Sequence, residues 1–176
     1  MVNVSHLKQN SKMKKCLVTC AVVTVSLFAN NVFAQLPVKP LTDQKTMLQS
    51  NDPKLAKNKK LVYDMWREFL EAGHFEFAEK YFTETYMQHN PNVPTGRQPL
   101  VDFFSKFSQP KPIADTIKGP LVSIVAEGNL VTLSFVRELP DPADSTKKYT
   151  TTWFDMFRIE NGKIAEHWDT AEKMKN

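Results

Sequence analysis

Pro110-Lys111-Pro112 divides the chain into two stretches of different hydrophobic period, so a fold of helices alone or strands alone is excluded. Before the break, Leu61, Val62, Met65, Trp66, Phe69 and Leu70 recur at helical spacing, and Gly73 stands where a left-handed residue ends a helix. A second short helix is predicted over 75–82, then a strand over 85–89 stopped by Asn90-Pro91. A third helix runs through Leu100, Phe103, Phe104 and Phe107, with Thr95 and Gln98 as a capping box and Pro99 in its first turn. After the break the pattern alternates. A strand over 117–126 turns at Glu127-Gly128-Asn129 into 130–139; beyond a loop over 140–146, a strand over 148–159 turns at Asn161-Gly162 into 163–170. Helices followed by a meander predict an α+β domain, its helices packed on one face of a curved antiparallel sheet with a cavity between them.

The rest of the chain frames one such domain. Lys14-Lys15 leads into an apolar run over 16–29 and then Val32-Phe33-Ala34, the order of a signal peptide with cleavage after Ala34. The run is shorter than the ~20 apolar residues of a membrane span, which predicts export to the periplasm or beyond and no membrane contact after cleavage. Met13 offers an alternative start. Cys20 follows Leu17-Val18-Thr19, a weak lipidation signal. Residues 35–57, punctuated by Pro37, Pro40 and Pro53, read as an extended arm, 58–172 as the domain and 173–176 as a tail. The formal charge of +4 resides in the leader: residues 1–34 hold Lys8, Lys12, Lys14 and Lys15 with no acidic residue, leaving basic and acidic residues in balance beyond them. That balance argues against nucleic acid as a partner. Both cysteines, Cys16 and Cys20, also fall in the leader, which excludes disulfides and thiolate chemistry from the mature domain.

Three segments carry a resemblance: Tyr86-Met87-Gln88-His89-Asn90-Pro91, Pro94-Thr95-Gly96-Arg97 and, above all, residues 155–169, Asp-Met-Phe-Arg-Ile-Glu-Asn-Gly-Lys-Ile-Ala-Glu-His-Trp-Asp. Together they resemble the SnoaL-like polyketide cyclase family of the nuclear transport factor 2-like superfamily, over roughly 56–172. The resemblance implies a cone-shaped arrangement of helices on a curved sheet, a small apolar ligand, no cofactor and, in some members, a homodimer. In cyclases of this family a carboxylate on the last strand acts as general acid/base, assisted by a polar residue on the preceding strand. By motif position these roles fall on Asp169 and Asp155; Asp155 departs from the histidine that characterised cyclases carry there.

Two side chains share a pocket only if they share a sheet face. A two-residue turn at Asn161-Gly162 pairs Asp155 with Trp168 and sets the two carboxylates on opposite faces. A three-residue turn with Gly162 in a G1 bulge pairs Asp155 with His167 and Trp153 with Asp169, and gathers Trp153, Asp155, Phe157, Ala165, His167 and Asp169 on one face. The other face then carries Phe154, Met156, Ile164 and Trp168; on burial the two faces are nearly tied, and the resemblance favours the bulged turn. The candidate catalytic residues are then Asp169, Asp155 and His167, with His89, Trp153, Phe157 and Tyr86 as ligand contacts and no metal. Two carboxylates about 4–6 Å apart in an apolar pocket do not both ionise cheaply, so one is expected to carry a proton, the chemistry of isomerisation, aldol-type cyclisation or dehydration of a carbonyl compound. A buried Asp155–His167 pair with a structural role is the alternative, as is a non-catalytic binding module or a dimerisation domain.

Overall fold

The computed structural model describes residues 36–175; the leader and its cleavage site lie outside them. Helix α1, Pro53–Met65, starts where Asp52 accepts hydrogen bonds from the amides of Lys54 (2.7 Å) and Leu55 (3.3 Å), with Pro53 in the first turn. The helix thus begins inside the stretch read as an arm. The rest of that stretch is tied to the sheet, Leu41 N donating to Leu121 O at 2.7 Å and Val38 N to Thr150 Oγ1 at 2.8 Å. α1 continues into a π-helical turn, Trp66–Glu71, which ends at Gly73. Gly73 has φ +73°, and a Cβ there would stand 2.9 Å from Gln109 O, so both backbone and space demand glycine.

A 3₁₀ turn, Phe75–Phe77, and the short helix α2, Ala78–Tyr81, lead into strand β1, Phe82–Gln88; helix α3, Arg97–Phe104, follows. The expected capping box does not form. Gly96 caps α3, Thr95 Oγ1 accepts instead from Gln88 N at 3.2 Å, and Gln98 donates to Asp102. The remaining strands are β2, Leu121–Glu127, β3, Leu130–Asp141, β4, Asp144–Glu160, and β5, Lys163–Asp169. No loop separates β3 from β4: the two extend to a tight hairpin in which Asp141 faces Asp144.

The sheet order is β1-β5-β4-β3-β2, antiparallel except that β1 runs parallel to β5. The sheet is therefore mixed rather than antiparallel, and the first strand lies beside the last. Its inner face and the helices bury one core of Val62, Met65, Phe69, Leu121, Ile124, Val131, Leu133 and Ile164, each at most 1% exposed. Each such side chain contributes about 1.5–3 kcal/mol by leaving water.

The β4–β5 connection differs from both readings of the sequence. Asn161 (φ 50°) and Gly162 (φ 75°) form a two-residue turn that pairs Glu160 with Lys163, so the three-residue G1 turn is not formed. The extra residue sits further along, in β5. Ile159 opposes Ile164 whereas Arg158 opposes Glu166, which makes Ala165 a bulge. Ile164 and Ala165 are both buried, and beyond them the pairing has advanced by one: Phe157 faces His167, Met156 faces Trp168 and Asp155 faces Asp169. The bulge does what was expected of the turn, bringing Asp155, Phe157, His167 and Asp169 to one face. It also moves Ile164, assigned to the other face, into the core.

Candidate functional site

Between the helices and the inner face of the sheet lies a cavity of about 280 Å³. Met65, Trp66 and Leu70 from α1 and its π-helical extension, Leu100 and Phe104 from α3, and Phe82, Val93 and Phe157 make it apolar. Its polar groups come from three neighbouring strands: Tyr86, Gln88 and Asn90 at the end of β1, Asp155 within β4, and His167 and Asp169 near the end of β5.

These groups form one hydrogen-bonded chain. His167 Nε2 lies 3.1 Å from Asp155 Oδ1, and Nδ1 lies 2.8 Å from Gln88 Oε1. Gln88 Oε1 also accepts from the backbone N–H of Asn90 at 3.0 Å. A backbone amide only donates, so that Gln88 atom is the carbonyl oxygen, and His167 Nδ1 must carry a hydrogen to bond it. Nε2 then meets Asp155 with one proton between the two groups. The ring of His167 stacks on Phe157 with centroids 4.6 Å apart, which fixes its plane. Gln88 Nε2 donates to Tyr86 Oη at 3.1 Å, leaving the tyrosine's own hydrogen without an acceptor among the described residues. Burial, reinforced by the charges of Asp169 and Asp155, pushes the Tyr86 hydroxyl pKa upward, so it stays protonated.

The two carboxylates differ in their surroundings. Asp169 accepts from Asn90 Nδ2 at 2.6 Å through Oδ2 and from Ala171 N at 2.9 Å through Oδ1. Asp155 is 4% exposed, and its Oδ2 is buried with no hydrogen-bond partner. An unpaired buried carboxylate oxygen is costly, and this one belongs to a residue lining the cavity. Asp155, His167 and Asp169 each offer a ligand atom within 4.8 Å of the others, so among the described residues these are the ones able to surround a cation. The direct Nε2–Oδ1 bond puts a proton at that position.

The structure thus brings Asp155, His167, Asp169, Tyr86 and Phe157 to one cavity and leaves two expected contacts out of it. Trp153 lines an adjoining, more open groove of about 480 Å³, under the guanidinium of Arg137 5.0 Å from its ring centroid; the groove meets the cavity at Trp66, Leu70 and Asp155. His89 is outside both. Its Nε2 bonds Glu166 at 2.8 Å and its ring stacks flat on Trp168, at a centroid distance of 5.2 Å, because alternation along β1 turns it away from Gln88. Gln88 and Asn90 were missed as site residues. The signal for Gln88 was there: it is two residues from Tyr86 on the same strand.

Residues 63–167 match the family model of the SnoaL-like domain. A search of curated proteins returned no match. Among solved structures, a candidate SnoaL-like polyketide cyclase from Jannaschia sp. CCS1 is 15% identical, with a TM-score of 0.46 over 69% of this chain and 91% of that one. A candidate polyketide cyclase from Bacillus cereus ATCC 10987 is 20% identical, with a TM-score of 0.44 over 76% of this chain and 84% of that one. A protein of unknown function with a cystatin-like fold from Xanthomonas campestris is 14% identical, with a TM-score of 0.44 over 64% and 88%. The family match spans more than half of the sequence, and the chain belongs to the SnoaL-like domain family.

Proposed function

We propose that this is an exported protein that binds a small, largely apolar carbonyl compound and moves a proton on it without a cofactor. The observation that carries the reading is the unpaired, buried Oδ2 of Asp155 at the polar end of an otherwise apolar cavity. The size of that cavity, about 280 Å³, limits the ligand to roughly nine waters' worth of volume at ~30 Å³ each, a compound of one or two small rings.

In the proposed step Asp155 Oδ2 removes a proton from the carbon next to the carbonyl. The C–H electron pair moves into the carbon skeleton, and the negative charge collects on the carbonyl oxygen. The hydroxyl hydrogen of Tyr86 stabilises that oxygen. The proton on Asp155 is then returned at another carbon, which completes an isomerisation, or the enolate carbon attacks a second carbonyl, closing a ring as that carbonyl's π electrons move to its oxygen, which takes the proton from Asp155. These roles exchange the two implied by the family resemblance. Asp169, with both oxygens already engaged, supplies a fixed charge, and Asp155 carries the proton.

The test is hydrogen–deuterium exchange at the α-carbons of a panel of small cyclic enones in D₂O, followed by proton NMR. Wild-type protein is expected to accelerate exchange of at least one member about 10²–10⁴-fold, and Asp155→Asn to abolish the acceleration. Binding of a panel member with no exchange beyond that of Asp155→Asn would make the cavity a container rather than a catalyst.

A further inference from the structure

We propose that Gln88 is the positioning residue that sets the proton polarity of both ends of the site. Its amide faces two ways. The carbonyl oxygen is held by Asn90 N–H and accepts from His167 Nδ1, so the imidazole presents Nε2 to Asp155. The amide nitrogen donates to Tyr86 Oη, so the tyrosine keeps its own hydrogen for a ligand instead of spending it on the protein. A flipped amide would set two donors, Nε2 and the Asn90 N–H, against each other, and that repulsion locks the orientation.

The backbone around Gln88 is fixed independently of the ligand. Its N–H donates to Thr95 Oγ1 at 3.2 Å, the neighbouring Tyr86 carbonyl accepts from Gly96 N at 2.8 Å, and Gln88 is the register partner of His167 in the parallel ladder. One side chain thereby couples the base, through His167 and Asp155, to the donor, Tyr86. The catalytic consequence rests on the proton-transfer reading above. The hydrogen-bond polarity does not, and it is measurable without a substrate.

The experiment is a long-range ¹H–¹⁵N correlation spectrum of the full chain labelled at histidine, with His167 assigned by the signal lost in His167→Gln. In the wild type His167 is expected to show a protonated Nδ1. Gln88→Glu keeps an acceptor for that proton and is expected to keep the signal, while its carboxylate captures the Tyr86 hydrogen and lowers enone exchange. Gln88→Met offers Nδ1 no acceptor and is expected to lose the signal, with exchange reduced about 10–100-fold, the range seen when the partner orienting a functional histidine is removed. An unprotonated Nδ1 in the wild type overturns the inference, as does an unchanged His167 pattern in a folded Gln88→Met. Should Gln88→Met not fold, the wild type and Gln88→Glu decide it: loss of the Nδ1 proton in Gln88→Glu counts against. A protonated Nδ1 in a wild type that exchanges no enone preserves the role of Gln88 and removes the proton-transfer reading.

Discussion

Gln88 and His167 stand 79 positions apart in the chain, yet they are register partners on parallel neighbouring strands and their side chains meet at 2.8 Å. His89 N donates to His167 O at 3.0 Å, so the ladder itself holds the two residues level. That single pairing decides which nitrogen of His167 faces Asp155.

The Ala165 bulge is expected to absorb one surplus residue of β5 without choosing which residues pair. Deleting Ala165 sets Ile164 and Glu166 next to each other opposite Ile159 and Arg158, so His167 stays opposite Phe157 and Asp169 opposite Asp155, on the same face as before. The variant is expected to fold, to keep the protonated Nδ1 of His167 and to lose about 1 kcal/mol in denaturant unfolding, the contribution of one buried methyl group. Loss of the His167 signal in a folded variant would show that the bulged backbone itself aims the ring.

Glu68 is expected to support stability only above its titration range. Its burial raises the carboxyl pKa, but hydrogen bonds from Lys80 and Tyr81 outweigh that and leave it below the ordinary 4.5. The contribution is therefore present in full above pH 4.5 and is lost as the pH falls through the lower, folded-state value. Glu68→Gln should cost about 1–2 kcal/mol at pH 7, most of it from the Tyr81 bond because Lys80 is half exposed. The measurement is unfolding free energy against pH for both proteins, whose curves should converge on acidification; a gap that stays constant to acid pH would assign the effect to packing.

The proposed export places the mature N-terminus at Gln35. N-terminal sequencing of the protein recovered outside the cytoplasm reads it directly. Retention of the apolar run over 16–29, or lipid on Cys20, would contradict the leader reading.

The elements were legible in the sequence where they depend on local pattern. The helical spacing from Leu61 to Leu70 and the alternation after Pro112 reproduce α1, its π-helical turn and the meander. The start of α1 falls in the stretch that reads as an arm: Asp52-Pro53 is a cap followed by a first-turn proline, but three prolines within 35–57 give a breaker signal that masks it. The Asn161-Gly162 turn follows its dipeptide preference for positive φ at both positions. What no local pattern reveals is the displacement of the odd residue to Ala165, since bulge position depends on which of Ile164 and Ala165 fits beneath the helices. The parallel seat of β1 beside β5 is likewise a tertiary choice, and it carries Gln88 and Asn90 into the site. His89 is expected among the ligand contacts because it ends a strand at the mouth of the cavity; strand alternation from Tyr86, applied strictly, sends it outward.

The seating of β1 against β5 also governs when the candidate site is assembled. The donor side of the cavity is made early in synthesis and the acceptor side last, and nothing between them substitutes for the final strand. Closing a separation of this length is entropically slow compared with forming the β3–β4 hairpin. A chain still emerging, or one threaded unfolded through a translocation pore, therefore holds its acids, amide and imidazole apart. In the proposed reaction, proton transfer therefore begins only once β5 has seated beside β1.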